Sequence, residues 1–180
     1  DLNPILDGRL PDGSRVNIIR EPFSYGSPAI TIRKYIKGLK SFEQIENIFA
    51  LSEKWVELLK AMVKAKLTIM VSGGTGVGKT TFLNLLLNEL ELDERVVTIE
   101  DTLELNFELP NCVRLEARKG IVSEKSWMKT RDLVKNALRM RPDRIIIGEV
   151  RGEELFDLLQ AANTGHDGSM SSVHANSCRE

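Results

Sequence analysis

Gly73-Gly74-Thr75-Gly76-Val77-Gly78-Lys79-Thr80 fits the pattern G-x-x-x-x-G-K-[ST]. Such a loop needs a strand before it and a helix after it. Leu67-Thr68-Ile69-Met70-Val71 reads as a buried strand, and residues 82–90 read as a buried helix. The glycines tolerate positive φ and let backbone come close to a ligand. Successive N–H groups then converge on phosphate oxygens, and the helix N-terminus adds positive potential. Gly74, Thr75, Gly76, Val77, Gly78, Lys79, Thr80 and Thr81 are the expected phosphate cradle. Within it, Lys79 is expected to reach the β- and γ-phosphates, and the Thr80 hydroxyl to bind Mg²⁺. The alternative is a glycine-rich turn with a solvated lysine, and the flanking strand and helix argue against it.

The chain has 180 residues, enough for one good domain, or one domain with a small companion. Its 25 basic residues are balanced by 26 acidic ones, which leaves no basic excess for bulk nucleic-acid binding. No apolar run approaches the ~20 residues needed to span a bilayer, and no signal peptide is visible. Cys112 and Cys178 lie far apart without metal-type spacing and are expected to be free thiols in a reducing compartment. The chain begins at Asp1 and stops at Glu180 directly after a motif. It is expected to be a piece of a longer protein.

Residues 1–35 are rich in turn formers: Asp7-Gly8, Pro11-Asp12-Gly13 and Tyr25-Gly26-Ser27-Pro28. Between them, Arg15-Val16-Asn17-Ile18-Ile19 and Ala29-Ile30-Thr31-Ile32-Arg33 alternate as strands of a small sheet. Taken alone, Arg15 and Arg33 read as solvated strand arginines. Residues 1–36 are therefore assigned to the end of an N-terminal domain, 37–40 to a linker or hinge, and 41–180 to the nucleotide domain. Ser41 and Gln44 suit a capping box, with Ile45, Ile48 and Phe49 forming an apolar face. A second helix from Ser52 carries Trp55, Leu58, Leu59, Met62 and Val63 at helical spacing, predicting that these five face the core.

Downstream of the phosphate loop, Arg95-Val96-Val97-Thr98-Ile99 is a β-branched run ending in Glu100-Asp101-Thr102, with Glu104 close behind. Ligands of parallel α/β sheets sit beyond the carboxyl ends of strands. Acids there suit a metal or a water, and equally a helix cap; spacing leaves both readings open. Cys112 to Glu116 predicts a short strand, and Leu133, Val134, Ala137 and Leu138 a helix stopped by Pro142. Arg144-Ile145-Ile146-Ile147-Gly148-Glu149 is an apolar strand closing in an acid, the Walker B pattern. Gly148 occupies the usual aspartate position, so Glu149 must supply the charge. Glu153 starts a helix with Leu155, Leu158, Leu159 and Ala162 at core spacing. His166 and His174 flank a last strand beside the nucleotide site, where they suit sensing a γ-phosphate or polarising a water.

Taken together, Thr98-Ile99-Glu100-Asp101, Ile147-Gly148-Glu149-Val150-Arg151 and Thr164-Gly165-His166-Asp167-Gly168 with Val173-His174-Ala175-Asn176 resemble the secretion ATPase superfamily of type II and type IV secretion systems and type IV pili. Leu10-Pro11-Asp12-Gly13-Ser14-Arg15-Val16 and Leu138-Arg139-Met140-Arg141-Pro142-Asp143-Arg144 look most like its tight-adherence pilus and conjugation-type branch. The resemblance covers nearly the whole chain, and its motifs come in the family's order.

It implies an α/β fold with a RecA-like P-loop NTPase core, a small, mostly strand N-terminal segment hinged to it, and a homo-hexameric ring in the full-length protein. It places Glu100, Asp101 and Glu104 in an acidic box, Glu149 in Walker B, and His166 and His174 in a histidine box. Arg15 and Arg33 match positions that bring N-terminal arginines to the nucleotide. The family's helical region after the histidine box and most of its N-terminal domain are not in this chain.

The expected reaction is ATP hydrolysis with Mg²⁺, driving pilus assembly or protein secretion. Lys79 and the loop N–H groups hold phosphates, and Thr80 and Glu149 hold Mg²⁺, Glu149 through water. Glu100 is the first choice to orient or deprotonate the attacking water, and Glu149 the second. Arg15 and Arg33 are expected to neutralise developing charge when the domains close. The expected location is cytoplasmic, at the inner face of the cytoplasmic membrane beside a platform protein, without direct nucleic-acid contact. A RecA- or helicase-type nucleic-acid motor and a non-hydrolysing nucleotide-gated scaffold are the competing readings.

Overall fold

Alternation of apolar and polar side chains organises the first forty residues, and long β-branched runs organise the rest. The structure, a computed structural model, describes residues 4–34, 41–45, 49–117 and 128–175. The chain divides into two compact units, Asp1–Lys37 and Gly38–Glu180. The expected hinge at 37–40 lies outside the described residues, as do Ile48 of the first predicted helix face and Cys178.

The first unit is an antiparallel sheet of β1 (Ile5–Arg9), β2 (Arg15–Ile19) and β3 (Ala29–Arg33), in that order. β2 and β3 are the predicted strands. β1 is a difference: Asp7-Gly8 reads as a turn, yet both residues lie within this strand, opposite Asn17 and Val16. The turn forms one step later, where Gly13 takes φ 90° and Asp12 accepts the Ser14 N–H and hydroxyl at 2.9 and 3.0 Å. Those two bonds hold the Asp12 carboxyl below its ordinary range. Pairing with β2 outweighs the local preference of Asp-Gly because it satisfies the backbone of the whole strand. The register sets Arg9 opposite Arg15 and Arg15 opposite Arg33, a row of guanidiniums across three strands.

The second unit is a parallel five-stranded sheet in the order β4-β8-β7-β5-β6, with helices packed on it. Its elements are α1 (Glu53–Lys64), β4 (Ile69–Gly73), α2 (Lys79–Leu87), β5 (Val96–Glu100), β6 (Cys112–Glu116), α3 (Thr130–Ala137), β7 (Arg144–Val150), α4 (Glu154–Asn163) and β8 (Met170–His174). Val96, Val97, Ile99, Ile145, Ile146 and Ile147 are fully buried, as strands covered on both faces must be. Leu83, Leu85, Leu86 and Leu87 bury α2 against one side. Val134, Ala137, Leu158 and Ala161 of α3 and α4 pack on the other. Each large buried side chain contributes about 1.5–3 kcal/mol.

α1 has the predicted period with a different phase. Val56, Leu59, Met62 and Val63 pack on the core, while Trp55 and Leu58 are 58% and 47% exposed. The apolar arc is wider than the contact surface, and periodicity alone does not say which edge of it turns inward. In α4, likewise, Leu158 and Ala161 are buried and Leu159 is exposed. Among the described residues, no helix is long and apolar enough to cross a membrane.

One buried cation ties these layers together. Arg144, 1% exposed, opens β7 and grips Glu94 with two nitrogens: Nη2 donates to Oε1 at 2.9 Å and Nε donates to Oε2. Nη2 also donates to the Val63 carbonyl at 2.9 Å, joining the end of α1 to the sheet.

Candidate nucleotide site

The loop between β4 and α2 turns into the helix at Gly78, whose φ of +94° suits a residue without Cβ. A Cβ there would also lie 3.0 Å from the Phe49 ring. Lys79 is the first helical residue and is buried. Its ammonium donates to the carbonyls of Gly73 at 2.9 Å and Gly74 at 2.6 Å. Thr75, Gly76 and Val77 are exposed at the loop tip, and Thr80 and Thr81 are half-buried in the first turn of α2.

Strand register decides what stands beside this loop. β8 pairs with β4 so that His174 is level with Gly73. The imidazole consequently reaches both sides of the site. Its Nδ1 lies 3.5 Å from Lys79 Nζ, and its Nε2 lies 2.5 Å from Glu149 Oε1. The latter is an ion-pair distance when the ring is protonated; with a neutral ring it is not a hydrogen bond. Glu149 Oε1 is thus buried without a hydrogen-bond partner among the described residues. Glu149 Oε2 is held by Arg151, whose Nη2 donates at 2.5 Å and Nε at 3.0 Å. Arg151 also stands 3.9 Å from Asp101, which accepts the Thr130 hydroxyl at 2.9 Å. Hydrogen bonding to Glu149 holds the Arg151 guanidinium above its already high range.

Glu100 ends β5 and points inward, 3% exposed. Its Oε1 accepts the backbone N–H groups of Glu104 at 2.7 Å and Leu105 at 2.8 Å. Burial pushes its carboxyl above the ordinary range, opposed by those N–H groups and by Arg114. Of the two readings left open by spacing, these contacts are those of a cap: the carboxylate holds the following loop, and it lies at the strand end beside Gly148. A Cβ on Gly148 would sit 3.0 Å from Glu100 Cγ. A larger residue in the usual Walker B aspartate position would require the Glu100 side chain to shift.

Of the predicted residues, register and packing gather Lys79, Glu149 and His174 in direct contact. His166 makes none of these contacts among the described residues; its Nδ1 is buried without a hydrogen-bond partner. Arg15 and Arg33 belong to the first unit, where they face each other across β2 and β3.

Three residues of the surroundings escaped sequence reasoning. Asn84 of α2 accepts the Asn106 N–H at 2.8 Å, Arg114 of β6 meets Glu100, and Arg144 is the buried cation. Asn84 carries the one usable signal, an amide amid the leucines of a buried helix.

The family model of type II/IV secretion system proteins matches residues 1–180. The chain belongs to this family. Among its relatives, the type IV secretion system protein VirB11 of Brucella suis biovar 1 is 35% identical over 208 residues, covering 99% of this chain and 56% of VirB11. The conjugal transfer protein TrbB of Rhizobium radiobacter is 34% identical over 180 residues, covering 98% of this chain and 53% of TrbB. A solved structure, the VirB11 ATPase of the Brucella suis type IV secretion system in complex with sulphate, superposes with a TM-score of 0.63 at 32% identity, covering 98% of this chain and 57% of that one. This chain therefore spans about half the length of the curated relatives it matches. The family's architecture, a RecA-like core with an N-terminal strand sheet, is the fold described above.

Proposed function

We propose that this chain is the ATP-hydrolysing part of a secretion or pilus motor. The observation that carries the reading is the contact chain at the phosphate loop: Lys79, His174 and Glu149 in sequence, with Glu100 packed behind Gly148. Family membership and likeness to a VirB11 ATPase support the motor class.

Phosphoryl transfer needs little covalent chemistry from a protein; positioning and charge do most of it. The N–H groups of residues 74–81 and the Lys79 ammonium bind the phosphate chain. Lys79 is held by two loop carbonyls, which keep its ammonium at the loop where the phosphates would bind. Oxygen donors with one or two protein contacts suit Mg²⁺. The Thr80 hydroxyl and the buried Glu149 Oε1 fit that requirement. When bound there, Mg²⁺ supplies positive charge to the phosphate oxygens. Glu100 orients the attacking water and takes its proton; a carboxyl raised by burial is the better base near neutral pH. His174 reports the state of the γ-phosphate through its contacts with Lys79 and Glu149; His166, in the loop before β8, is given a sensing role by the resemblance alone. Arg15 and Arg33 supply guanidiniums to the developing charge, which makes hydrolysis depend on conformation.

In the full-length protein we place this machinery in a homo-hexamer at the inner face of the cytoplasmic membrane, working on a platform protein; the resemblance supports these features. The test is Lys79→Ala in the full-length protein. ATP turnover is expected to fall to background, with nucleotide affinity weakened. Wild-type turnover would remove the phosphate loop from the mechanism.

A further inference from the structure

Leu105, fully buried, is held by both of its backbone polar groups. Its N–H donates to Glu100 Oε1 at 2.8 Å, and its carbonyl accepts from Arg114 Nη2. The same Nη2 lies 3.5 Å from Glu100 Oε2. Glu100, Leu105 and Arg114 therefore close a polar circuit at the ends of β5 and β6. Register explains it: Arg114 pairs with Thr98, two residues before Glu100 on the same face of β5. The Glu100 side chain is 2% exposed and that of Arg114 is 39% exposed, so the cation reaches inward from the sheet edge.

We propose that Arg114 is a positioning residue for Glu100, fixing one orientation of the carboxylate directly and, through Leu105, the loop that grips it. The proposal rests on the reading of Glu100 as the residue that handles the water. A guanidinium suits the task because its planar fork serves a carboxylate and a carbonyl together, whereas an ammonium is a point charge. The other groups around Glu100 do not substitute for it. β6 also presents the Cys112 thiol and Glu116, a like charge level with Glu100 rather than a counter-charge; the loop presents the Glu104 and Leu105 N–H groups, and β7 presents Gly148, which has no side chain. Burial raises the Glu100 carboxyl and Arg114 opposes that rise.

The experiment uses the full-length protein with Arg114→Gln, Arg114→Lys and Glu100→Gln. Two readouts are taken: the pH profile of kcat, and the ¹³C carboxyl titration of nucleotide-free protein, with Glu100 identified by its loss in Glu100→Gln. Glutamine keeps a donor for Leu105 and loses the charge. In Arg114→Gln the acid limb of kcat and the Glu100 midpoint are expected to move up together by about 0.5 pH unit or more. Nucleotide affinity should stay at the wild-type value. A midpoint that stays in place, with Glu100→Gln inactive, overturns the role of Arg114 and leaves Glu100 standing. Turnover in Glu100→Gln at the wild-type rate overturns the reading of Glu100 and the proposal with it. Should Arg114→Gln fail to fold, Arg114→Lys decides. It keeps the charge, so the midpoint should hold while kcat falls several-fold; wild-type kcat there overturns the need for a planar fork.

Discussion

Glu100 fills the space beside Gly148: a Cβ at 148 would stand 3.0 Å from Glu100 Cγ. Two positions far apart in sequence are thereby one steric unit. Gly148→Ala is expected to displace the Glu100 side chain and lower kcat at least tenfold while leaving nucleotide affinity near wild type. Overpacking of this kind costs about 1–3 kcal/mol, readable as a lowered Tm. An alanine variant with wild-type kcat would show that the Glu100 position is not critical.

The two glutamates separate by metal dependence. Glu100 is enclosed by backbone donors, whereas Glu149 keeps one buried oxygen without a hydrogen-bond partner among the described residues. Glu100→Gln should retain ATP affinity and lose hydrolysis at every Mg²⁺ concentration. Glu149→Gln should shift the Mg²⁺ concentration needed for half-maximal binding and turnover. Binding and hydrolysis titrated against Mg²⁺ check both, and the opposite pattern reverses the assignment.

Glu100 also leaves a mark on stability. Burial holds its carboxyl above the ordinary range, so the folded chain binds this proton more tightly than the unfolded chain does. Its contribution is fully present below the unfolded value, about 4.3, and is lost as pH rises through the raised folded value. The Tm of wild type minus that of Glu100→Gln should therefore decline with rising pH across that window. A difference that is flat or grows with pH contradicts the burial of this carboxyl.

Arg144 and Glu94 form a pair that tolerates joint replacement better than single loss. Arg144→Met leaves Glu94 buried without its cation, and breaking such a pair costs about 3–5 kcal/mol. Glu94→Gln together with Arg144→Met should recover part of that loss. Urea unfolding of the four proteins of the cycle measures it, and additive losses would show the pair uncoupled.

Arg15 and Arg33 are tested by lysine, which keeps charge but loses the fork. In the full-length protein each substitution is expected to lower ATPase by more than tenfold, about 1.4 kcal/mol of barrier. At Arg33, which is exposed, stability should change by no more than about 0.5 kcal/mol. Unchanged ATPase in both variants would return these arginines to a solvent role.

The glycine-rich loop pattern and the β-branched strands were legible from residues alone, whereas the acidic and histidine motifs were legible only through the family resemblance. The first two are local: glycine spacing, period-2 alternation and apolar runs are set by neighbours in the chain. Which face of α1 turns inward was not legible, because Trp55, Val56, Leu58 and Leu59 are all apolar and only contact with the sheet chooses among them. β1 was hidden for a related reason, since Asp7-Gly8 signals a turn until pairing with β2 overrides it. Tertiary structure alone decided that His174 lies level with Gly73, that Glu100 occupies the room left by Gly148, and that Arg114 and Arg144 reach their carboxylates. Those relationships come from parallel register between strands separated by whole helices. The residues involved are tens of positions apart, and nothing in the local pattern of either partner specifies the other.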